Sequence, residues 1–196
     1  MLHPVLNRNT FLVKEHVGMF KAASNYDVYD PATGEMIITC RELRLGGIAK
    51  LFRFTKYKRN TPFFLDIDAA DGTQLLSVKR GVSLFLSQVA VLDENDAQIG
   101  GFSQKMFSIG GKFDVKGPSD QVLCTLKGKW TSWDFRFLAG DQELARVTKK
   151  WSGLGKELFT SADNYMLEIS DTVPQDNPLR QLILASVFCI DLVLKE

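Results

Sequence analysis

The sequence predicts a mainly β fold in which about ten to twelve antiparallel strands form a closed barrel around a hydrophobic C-terminal α-helix. Three observations support this prediction. Residues 182–194 are the only long apolar run, and they lie at the end of the 196-residue chain. Upstream, strand-like segments alternate with turn signals. Strands of about 5–6 residues span ~17–20 Å, which matches the ~20 Å length of a helix formed by the apolar run. Such a helix can fill a barrel from end to end, as in known barrels with a central helix.

The predicted C-terminal helix covers residues 177–196. Asn177 is a favourable N-cap, Pro178 fits the first helical position, and Lys195 lies in the last turn, near the negative end of the helix dipole. The apolar run has no polar face, so the helix must be buried on all sides. A bilayer span needs about 20 apolar residues, which favours a core helix over the alternative of a membrane anchor.

Asp191 interrupts the apolar run near its end. A buried carboxylate must be paired or protonated, and a raised pKa can mark a functional acid. We expect Asp191 to meet a strand-borne Arg or Lys, or water at the barrel mouth. A functional acid is the alternative.

The strands are predicted from turn signals and from alternating side chains. Asp and Asn favour turns through their side chains, and Gly and Pro through their backbone angles. In one strand, Trp133, Phe135 and Phe137 lie opposite Asp134 and Arg136, which is the period of a half-buried antiparallel strand. The predicted hairpin turns are residues 30–34, 68–72, 93–96, 116–120 and 139–142.

The composition is that of an ordinary globular protein. Hydrophobic residues make up 45% of the chain, the formal net charge is +1, and no linker or low-complexity segment is visible. We therefore expect one domain, residues 1–196, with residues 1–20 at its periphery and residues 177–196 as the central helix. No signal peptide is recognisable, so a cytoplasmic location is expected.

Little in the sequence indicates catalysis. His3 and His16 lack paired metal ligands at helical spacing, and there is no nucleophile elbow. Cys40, Cys124 and Cys189 are widely spaced, which predicts buried thiols rather than disulfides or a zinc site. We therefore do not expect an enzyme.

The strongest charge asymmetry lies in residues 41–59, which carry a net charge of +6 in a chain whose total is +1. Phe52, Phe54 and Tyr57 lie between the cations, which suits an anionic membrane surface or a nucleic acid. A solvated basic face is the third interpretation. Nucleic acid is disfavoured because the whole protein is not basic. The candidate anion-binding residues are Arg41, Arg44, Lys50, Arg53, Lys56, Lys58 and Arg59.

Residues 151–165, followed by Phe188-Cys189-Ile190-Asp191 and Glu196, resemble the C-terminal signature of the phospholipid scramblase family. Weaker similarity extends upstream to Asn25. That family is similar to tubby C-terminal and plant LURP-one-related domains, which implies a twelve-stranded antiparallel barrel around a C-terminal hydrophobic helix. Tubby-like domains bind phosphoinositide headgroups, so the resemblance favours anionic phospholipid as the ligand of the basic stretch.

The resemblance also implies two features that this sequence matches less well. Members of the family are described as moving lipids between leaflets with calcium, yet the Pro-rich region and palmitoylated Cys cluster of the animal proteins have no counterpart here. In the segment that corresponds to the calcium loop, Ser161 and Met166 replace an expected Asp and Gly. Asp163 and Asp171 are weak calcium candidates, and a turn at residues 163–164 is the simpler interpretation.

These observations predict a non-enzymatic module that binds anionic phospholipid headgroups, peripheral at a membrane, with no nucleic-acid partner. Calcium is the one cofactor that the resemblance raises. The first alternative function is lipid scrambling, with or without calcium. The second is a soluble protein-interaction domain with no lipid role.

Overall fold

The computed structural model describes residues 2–16, 24–42, 62–81, 88–104, 112–129, 133–149 and 164–194; the side chains of residues 104, 129, 191, 193 and 194 lie outside this description. The described residues form a short 3-10 helix, Pro4–Asn7, then twelve strands and one α-helix. These are β1 (Thr10–Glu15), β2 (Asn25–Tyr29), β3 (Met36–Glu42), β4 (Phe63–Ala69), β5 (Gln74–Arg80), β6 (Gln88–Leu92), β7 (Gln98–Gln104), β8 (Lys112–Lys116), β9 (Val122–Lys129), β10 (Asp134–Ala139), β11 (Gln142–Thr148), β12 (Asn164–Ile169) and α1 (Leu179–Leu194).

The strands form a closed antiparallel barrel, as the sequence predicts. Each strand pairs with its neighbours in the chain, and β1 closes the barrel by pairing with β12. Val13 of β1 lies opposite both Tyr165 and Val28, and Phe11 and Val13 belong to the buried core. The expectation that residues 1–20 are peripheral is therefore wrong for Thr10–Glu15. A pairing between strands so far apart in the chain leaves no local signal in the sequence.

The turns form where they were predicted, and by the expected mechanism. Asp30 Oδ1 accepts a hydrogen bond from the Ala32 amide at 2.8 Å, and Asp71 Oδ1 accepts one from the Thr73 amide at 2.9 Å. Such side-chain contacts replace a backbone hydrogen bond and bend the chain. The result is a set of short connections at one end of the barrel.

Helix α1 fills the barrel. Asn177 is its N-cap, because Asn177 Oδ1 accepts a hydrogen bond from the Leu179 amide at 2.9 Å. Residues 180–190 are all buried, in agreement with the prediction of a helix covered on every side. The Phe188 ring packs against Tyr26 of β2, with centroids 5.2 Å apart. Gly100 of β7 lets the wall approach the helix, since a Cβ there would lie 3.0 Å from the Leu182 side chain and 2.3 Å from a backbone carbonyl.

In the part of the chain that the structure describes, no helix is long and apolar enough to cross a membrane.

The two ends of the barrel differ because the strands run up and down in sequence order. All odd-numbered strands stop at one end, which we call the connection end, and all even-numbered strands start there. We call the opposite end the turn end. At the connection end the strands are joined by residues 16–24, 43–62, 81–87, 105–111, 130–133 and 149–163, and the chain leaves α1 there at residues 195–196. At the turn end the connections are residues 30–35, 70–73, 93–97, 117–121 and 140–141, and residues 170–178 lead from β12 into α1.

Arg180, in the first turn of α1, closes the turn end. Its side chain is almost completely buried, with 1% of the residue exposed. Burial lowers the pKa of Arg180, and the charge of Asp171 partly opposes that effect. The guanidinium donates hydrogen bonds to the carbonyl oxygens of Leu6, Asn7, Arg8 and Val173 and to the side-chain oxygen of Asn9. These hydrogen bonds hold the 3-10 helix against the turn end of the barrel.

Candidate functional site

The connections at the two ends of the barrel carry opposite charge. The turn-end connections contain ten Asp or Glu residues and no Lys or Arg, and the N-terminal residues 2–9, which reach the same end, add Arg8, which pairs with Asp30. The connection-end segments, with residues 195–196, contain by sequence twelve Lys or Arg and three Asp or Glu. The basic stretch at residues 41–59 supplies half of these cations by sequence, and its residues after Glu42 lie outside the described residues. This makes the connection end the candidate anion-binding surface.

Arg41 is the one candidate anion-binding residue that the structure describes. It lies near the end of β3, where its guanidinium donates to Asp27 Oδ1 and, at 2.6 Å, to the Tyr26 carbonyl oxygen. Its charge is therefore largely offset by Asp27. The other six candidates, Arg44, Lys50, Arg53, Lys56, Lys58 and Arg59, lie outside the described residues.

Asp27 connects three strands near the connection end. Besides Arg41, it faces His16, whose Nε2 is 2.6 Å from Asp27 Oδ2. Burial raises the pKa of Asp27, but the hydrogen bonds from Arg41 and His16 outweigh burial and leave this pKa below its ordinary value. Asp27 is thus ionised at neutral pH and holds the ends of β1 and β3 to β2. Sequence reasoning missed this group because its members are widely separated in the chain.

A second polar feature at the connection end is a cluster of Trp133, Lys149 and Tyr165. The rings of Trp133 and Tyr165 are stacked, with centroids 4.6 Å apart and planes inclined by 20°. The Lys149 ammonium nitrogen is 4.3 Å from the Trp133 centroid and 5.2 Å from the Tyr165 centroid. Both distances are typical of cation–π attraction. Trp133 has a φ of 47°, which is unfavourable for a bulky side chain.

Charged residues also face inward at this end. Glu15, Glu42 and Arg80 are buried, and Glu42 Oε2 accepts a hydrogen bond from the Ser24 amide at 2.7 Å. The Arg80 guanidinium lies 4.7 Å from the Phe63 ring centroid, and its charge acts on the Cys189 thiol of α1. Arg80 is therefore a strand-borne cation near the last turns of the helix. The side chain of Asp191, for which such a partner was expected, lies outside the described residues.

The cysteines are buried, as predicted. Burial raises the pKa of Cys124 to about 12 and that of Cys189 to about 12, and it raises the pKa of Cys40 well above its ordinary value. The thiol, which is a poor nucleophile, therefore dominates at neutral pH. These residues pack in the core.

The two weak calcium candidates cannot share one ion. Asn164 begins β12 at the connection end, whereas Asp171 follows β12 at the turn end, where it accepts a hydrogen bond from Asn9. An extended strand of this length separates its ends by ~20 Å. Asp163, which precedes Asn164, lies outside the described residues. Among the described residues, no group of three or more His, Cys, Asp or Glu is placed to hold a metal ion.

Comparison with known proteins agrees with this architecture. A family model described as Scramblase matches residues 5–196. The chain belongs to the scramblase family. This membership supports a lipid-related role, in a family that is generally non-enzymatic.

One curated relative is the altered inheritance rate of mitochondria protein 25 of Saccharomyces cerevisiae. It is 21% identical, and the match covers 88% of this scramblase-family chain and 62% of the yeast protein. The chain thus spans less than two thirds of that relative's length. A crystal structure of an Arabidopsis thaliana protein is similar in fold, with a TM-score of 0.53 and 13% identity over 95% of this chain and 92% of the plant chain. At this level of identity the similarity shows that the two chains share a fold.

Proposed function

We propose that this scramblase-family protein binds anionic phospholipid headgroups at a membrane surface through the connection end of its barrel. The observation that supports this proposal is the excess of Lys and Arg in the sequence of the segments that connect strands at this end, against the acidic connections of the turn end. The ligand-binding cations are those that follow β3 in the chain, namely Arg44, Lys50, Arg53, Lys56, Lys58 and Arg59. Arg41, the seventh candidate, contributes less because Asp27 offsets its charge.

The electrostatic energy available to this surface is sufficient for reversible binding. A Lys or Arg close to an anionic leaflet contributes about 1 kcal/mol to binding. Six such cations that approach the leaflet together therefore contribute several kcal/mol. The attraction decays over a Debye length of ~8 Å at physiological ionic strength. Binding therefore requires close approach and must weaken when salt is added.

Anionic lipids are concentrated in the cytoplasmic leaflet, which is the leaflet that attracts polybasic segments. We accordingly assign the protein to the cytoplasmic side of a membrane, as a peripheral component. Nucleic acid is not the expected ligand, because the chain as a whole is not basic, with a formal net charge of +1.

Co-sedimentation with vesicles tests the proposal. Replacing Lys50, Arg53, Lys56, Lys58 and Arg59 by Glu should abolish most binding to vesicles of phosphatidylserine and phosphatidylcholine, and a several-fold increase in salt should weaken binding of the wild type. Lys116→Glu is the control, since Lys116 lies at the turn end beside Asp120. Undiminished binding after the five-residue reversal would refute the assignment of these cations. A wild type that ignores acidic vesicles at low salt would refute the lipid proposal and favour a protein-interaction domain.

Lipid scrambling is the second candidate, and membership of the scramblase family is the observation that favours it. Vesicles that carry a fluorescent lipid in both leaflets measure this activity directly when a reductant bleaches the outer leaflet. Scrambling predicts that the protein makes the inner-leaflet probe accessible, and parallel samples with and without calcium decide whether the ion is required. A protein that binds the vesicles without exposing the inner probe is a binding module only.

A further inference from the structure

We propose that the outer face of the barrel wall carries a binding site for a divalent cation that prefers oxygen ligands, formed by Asp66 and Asp68 of β4 and Ser77 of β5. This inference does not depend on the proposed lipid binding. Two observations support it. One is a pair of neighbouring carboxylates without partners, and the other is a fully buried hydroxyl, also without a partner, directly opposite one of them.

The register of the sheet places these side chains on one face. Asp66 and Asp68 alternate with the buried core residues of β4, so both face outward. Ser77 lies directly opposite Asp66, and Thr39 of β3 lies directly opposite Asp68. Residues that oppose each other in an antiparallel pair share a face, with Cβ atoms about 4.5–5.5 Å apart. Four oxygen-bearing side chains therefore form two adjacent cross-strand pairs on the wall.

The two carboxylates are not neutralised by a nearby ion pair. Among the residues that the structure describes, Asp66 and Asp68 have no hydrogen-bond or ion-pair partner. The cations that act on them are committed elsewhere, since Lys79 donates to a carboxylate in the turn after β6 at 3.0 Å and Arg41 donates to Asp27. Burial and the charge of Asp68 raise the pKa of Asp66, and burial raises the pKa of Asp68. A bound cation would relieve both the desolvation and the mutual repulsion.

The Ser77 hydroxyl is the second, independent observation. Ser77 is 0% exposed, and its Oγ has no hydrogen-bond partner in the described part of the chain. Buried polar groups in native proteins generally have a partner, because an unpaired one destabilises the fold. A metal ion approaches an oxygen to about 2.3–2.6 Å, closer than a water molecule does. The small space beside Ser77 therefore favours a bare ion over a basic side chain or a lipid headgroup.

The ligand atoms decide which ions fit the site. Carboxylate and hydroxyl oxygens suit Ca²⁺, Mg²⁺ and Mn²⁺, whereas imidazole and thiolate, which favour zinc and copper, are not part of this group. The site has two carboxylates, so it is compatible with the lack of any cluster of three or more His, Cys, Asp or Glu among the described residues. With so few charged ligands we expect weak binding, with a Kd of about 10⁻⁴–10⁻³ M.

Electron paramagnetic resonance with Mn²⁺ alone measures the binding. The signal of the free ion decreases when Mn²⁺ binds to the protein, so a titration of the whole chain gives the affinity and the number of sites. Ca²⁺ and Mg²⁺, added in separate competition series, should displace the bound Mn²⁺ and thereby show which of the two the site prefers.

Matched variants assign the bound ion to this site. Asp66→Asn and Asp68→Asn should each weaken Mn²⁺ binding about ten-fold or more, because each removes a charge and a ligand oxygen. Asp141→Asn, which changes an exposed carboxylate in the turn after β10, is the control and should bind like the wild type.

Ser77→Ala separates a ligand from a structural residue. Its Mn²⁺ affinity should fall several-fold. Its thermal unfolding midpoint without metal should not fall, because the variant removes a buried hydroxyl that has no partner. The same midpoint shows whether each Asp variant has folded, and Ser77→Ala decides the question if one of them has not.

Four results would overturn the inference. The first is wild-type protein that does not bind millimolar Mn²⁺. The second is undiminished binding by folded Asp66→Asn or Asp68→Asn, and the third is an equal loss in Asp141→Asn, which would mean that the ion binds unspecifically to surface carboxylates. The fourth is Ser77→Ala that binds like the wild type. None of these results bears on vesicle binding, because the experiment contains no lipid.

Discussion

The two ends of the barrel are built from the same strands but differ in the segments that connect those strands. At the turn end, connections are short, Asp side chains stabilise the turns, and Arg180 ties the 3-10 helix beneath α1 with hydrogen bonds to five oxygen atoms. At the connection end, two long segments of the sequence, residues 43–62 and 149–163, contain nine Lys or Arg residues. The comparison teaches that the hydrogen bonds which close the barrel lie at the turn end, whereas the basic segments of the sequence belong to the connection end.

The largest effect should follow from removing α1, which packs between the two ends. Deleting residues 178–196 should give insoluble or molten protein. Each buried Leu, Ile or Phe contributes about 1.5–3 kcal/mol, whereas a whole domain is stable by only about 5–15 kcal/mol. Near-ultraviolet circular dichroism and size-exclusion chromatography measure the outcome. A soluble, monomeric and cooperatively folded truncation product would refute the idea that α1 is the core.

The connection end offers a test of the expected Asp191 partner. If Asp191 is paired, Asp191→Asn should lower the free energy of unfolding by about 3–5 kcal/mol without changing vesicle binding of the folded protein. Arg80 is the cation to test, because it is buried and ends β5 at the same end of the barrel as the last turn of α1. A double-mutant cycle with Arg80→Gln, followed by urea unfolding, measures the coupling. Additive effects would exclude this pairing, and loss of binding with unchanged stability would indicate a functional acid instead.

At the turn end, Arg180→Met should lower the free energy of unfolding by about 2–3 kcal/mol. In this variant, buried carbonyl oxygens lose their hydrogen-bond donor, which destabilises the folded state. The variant also no longer buries a charge, which offsets part of that loss. Arg136→Met is the control, since the Arg136 side chain is 48% exposed and a surface pair contributes little. Urea unfolding compares the two variants. Equal stabilities would mean that the closure of the turn end does not depend on Arg180.

The smallest effect is expected at Asp134, the first residue of β10 at the connection end. The hydrogen bond from Arg146 lowers the pKa of Asp134 below its ordinary value of 3.8. A lowered pKa in the folded state adds stability above the ordinary value, and that stability is lost as the pH falls through the folded pKa. Asp134→Asn should therefore cost about 0.5–1 kcal/mol at pH 7, and the difference from wild type should shrink below about pH 4.

Unfolding measured at pH 7 and pH 3 checks the Asp134 prediction. Asp141→Asn, which changes an exposed carboxylate in a turn, is the control. A difference between wild type and Asp134→Asn that stays constant over this range would show that the ion pair with Arg146 does not contribute.

Several features could be read from the sequence because their causes are local. The apolar run has no polar side, so α1 had to be enclosed whatever surrounded it. Asn177 marks the beginning of α1, and Asp30 and Asp71 mark two of the turns, because each of these side chains bonds to an amide two residues along the chain. The alternation at Phe135 and Phe137 identified a wall strand for the same reason.

Arg180 shows the limit of what local sequence patterns can predict. A cation in the first turn of a helix is disfavoured by the helix dipole, so this residue carried a hint of a special environment. The acceptors that compensate for it, however, lie up to 174 residues away. Such a contact depends on the closure of the barrel between β1 and β12, which no stretch of sequence contains.

The sequence by itself determined that strands would alternate with turns, that the last helix would be buried, and that residues 41–59 would be basic. Only the tertiary structure decided which end of the barrel each connection occupies, which cations are offset by partners such as Asp27, and that Trp133 would meet Lys149 and Tyr165. The physical reason is that periodicity and capping act between neighbours along the chain. Charge separation, ion pairing and burial of a polar group depend on distances in space, which are set only when the barrel closes.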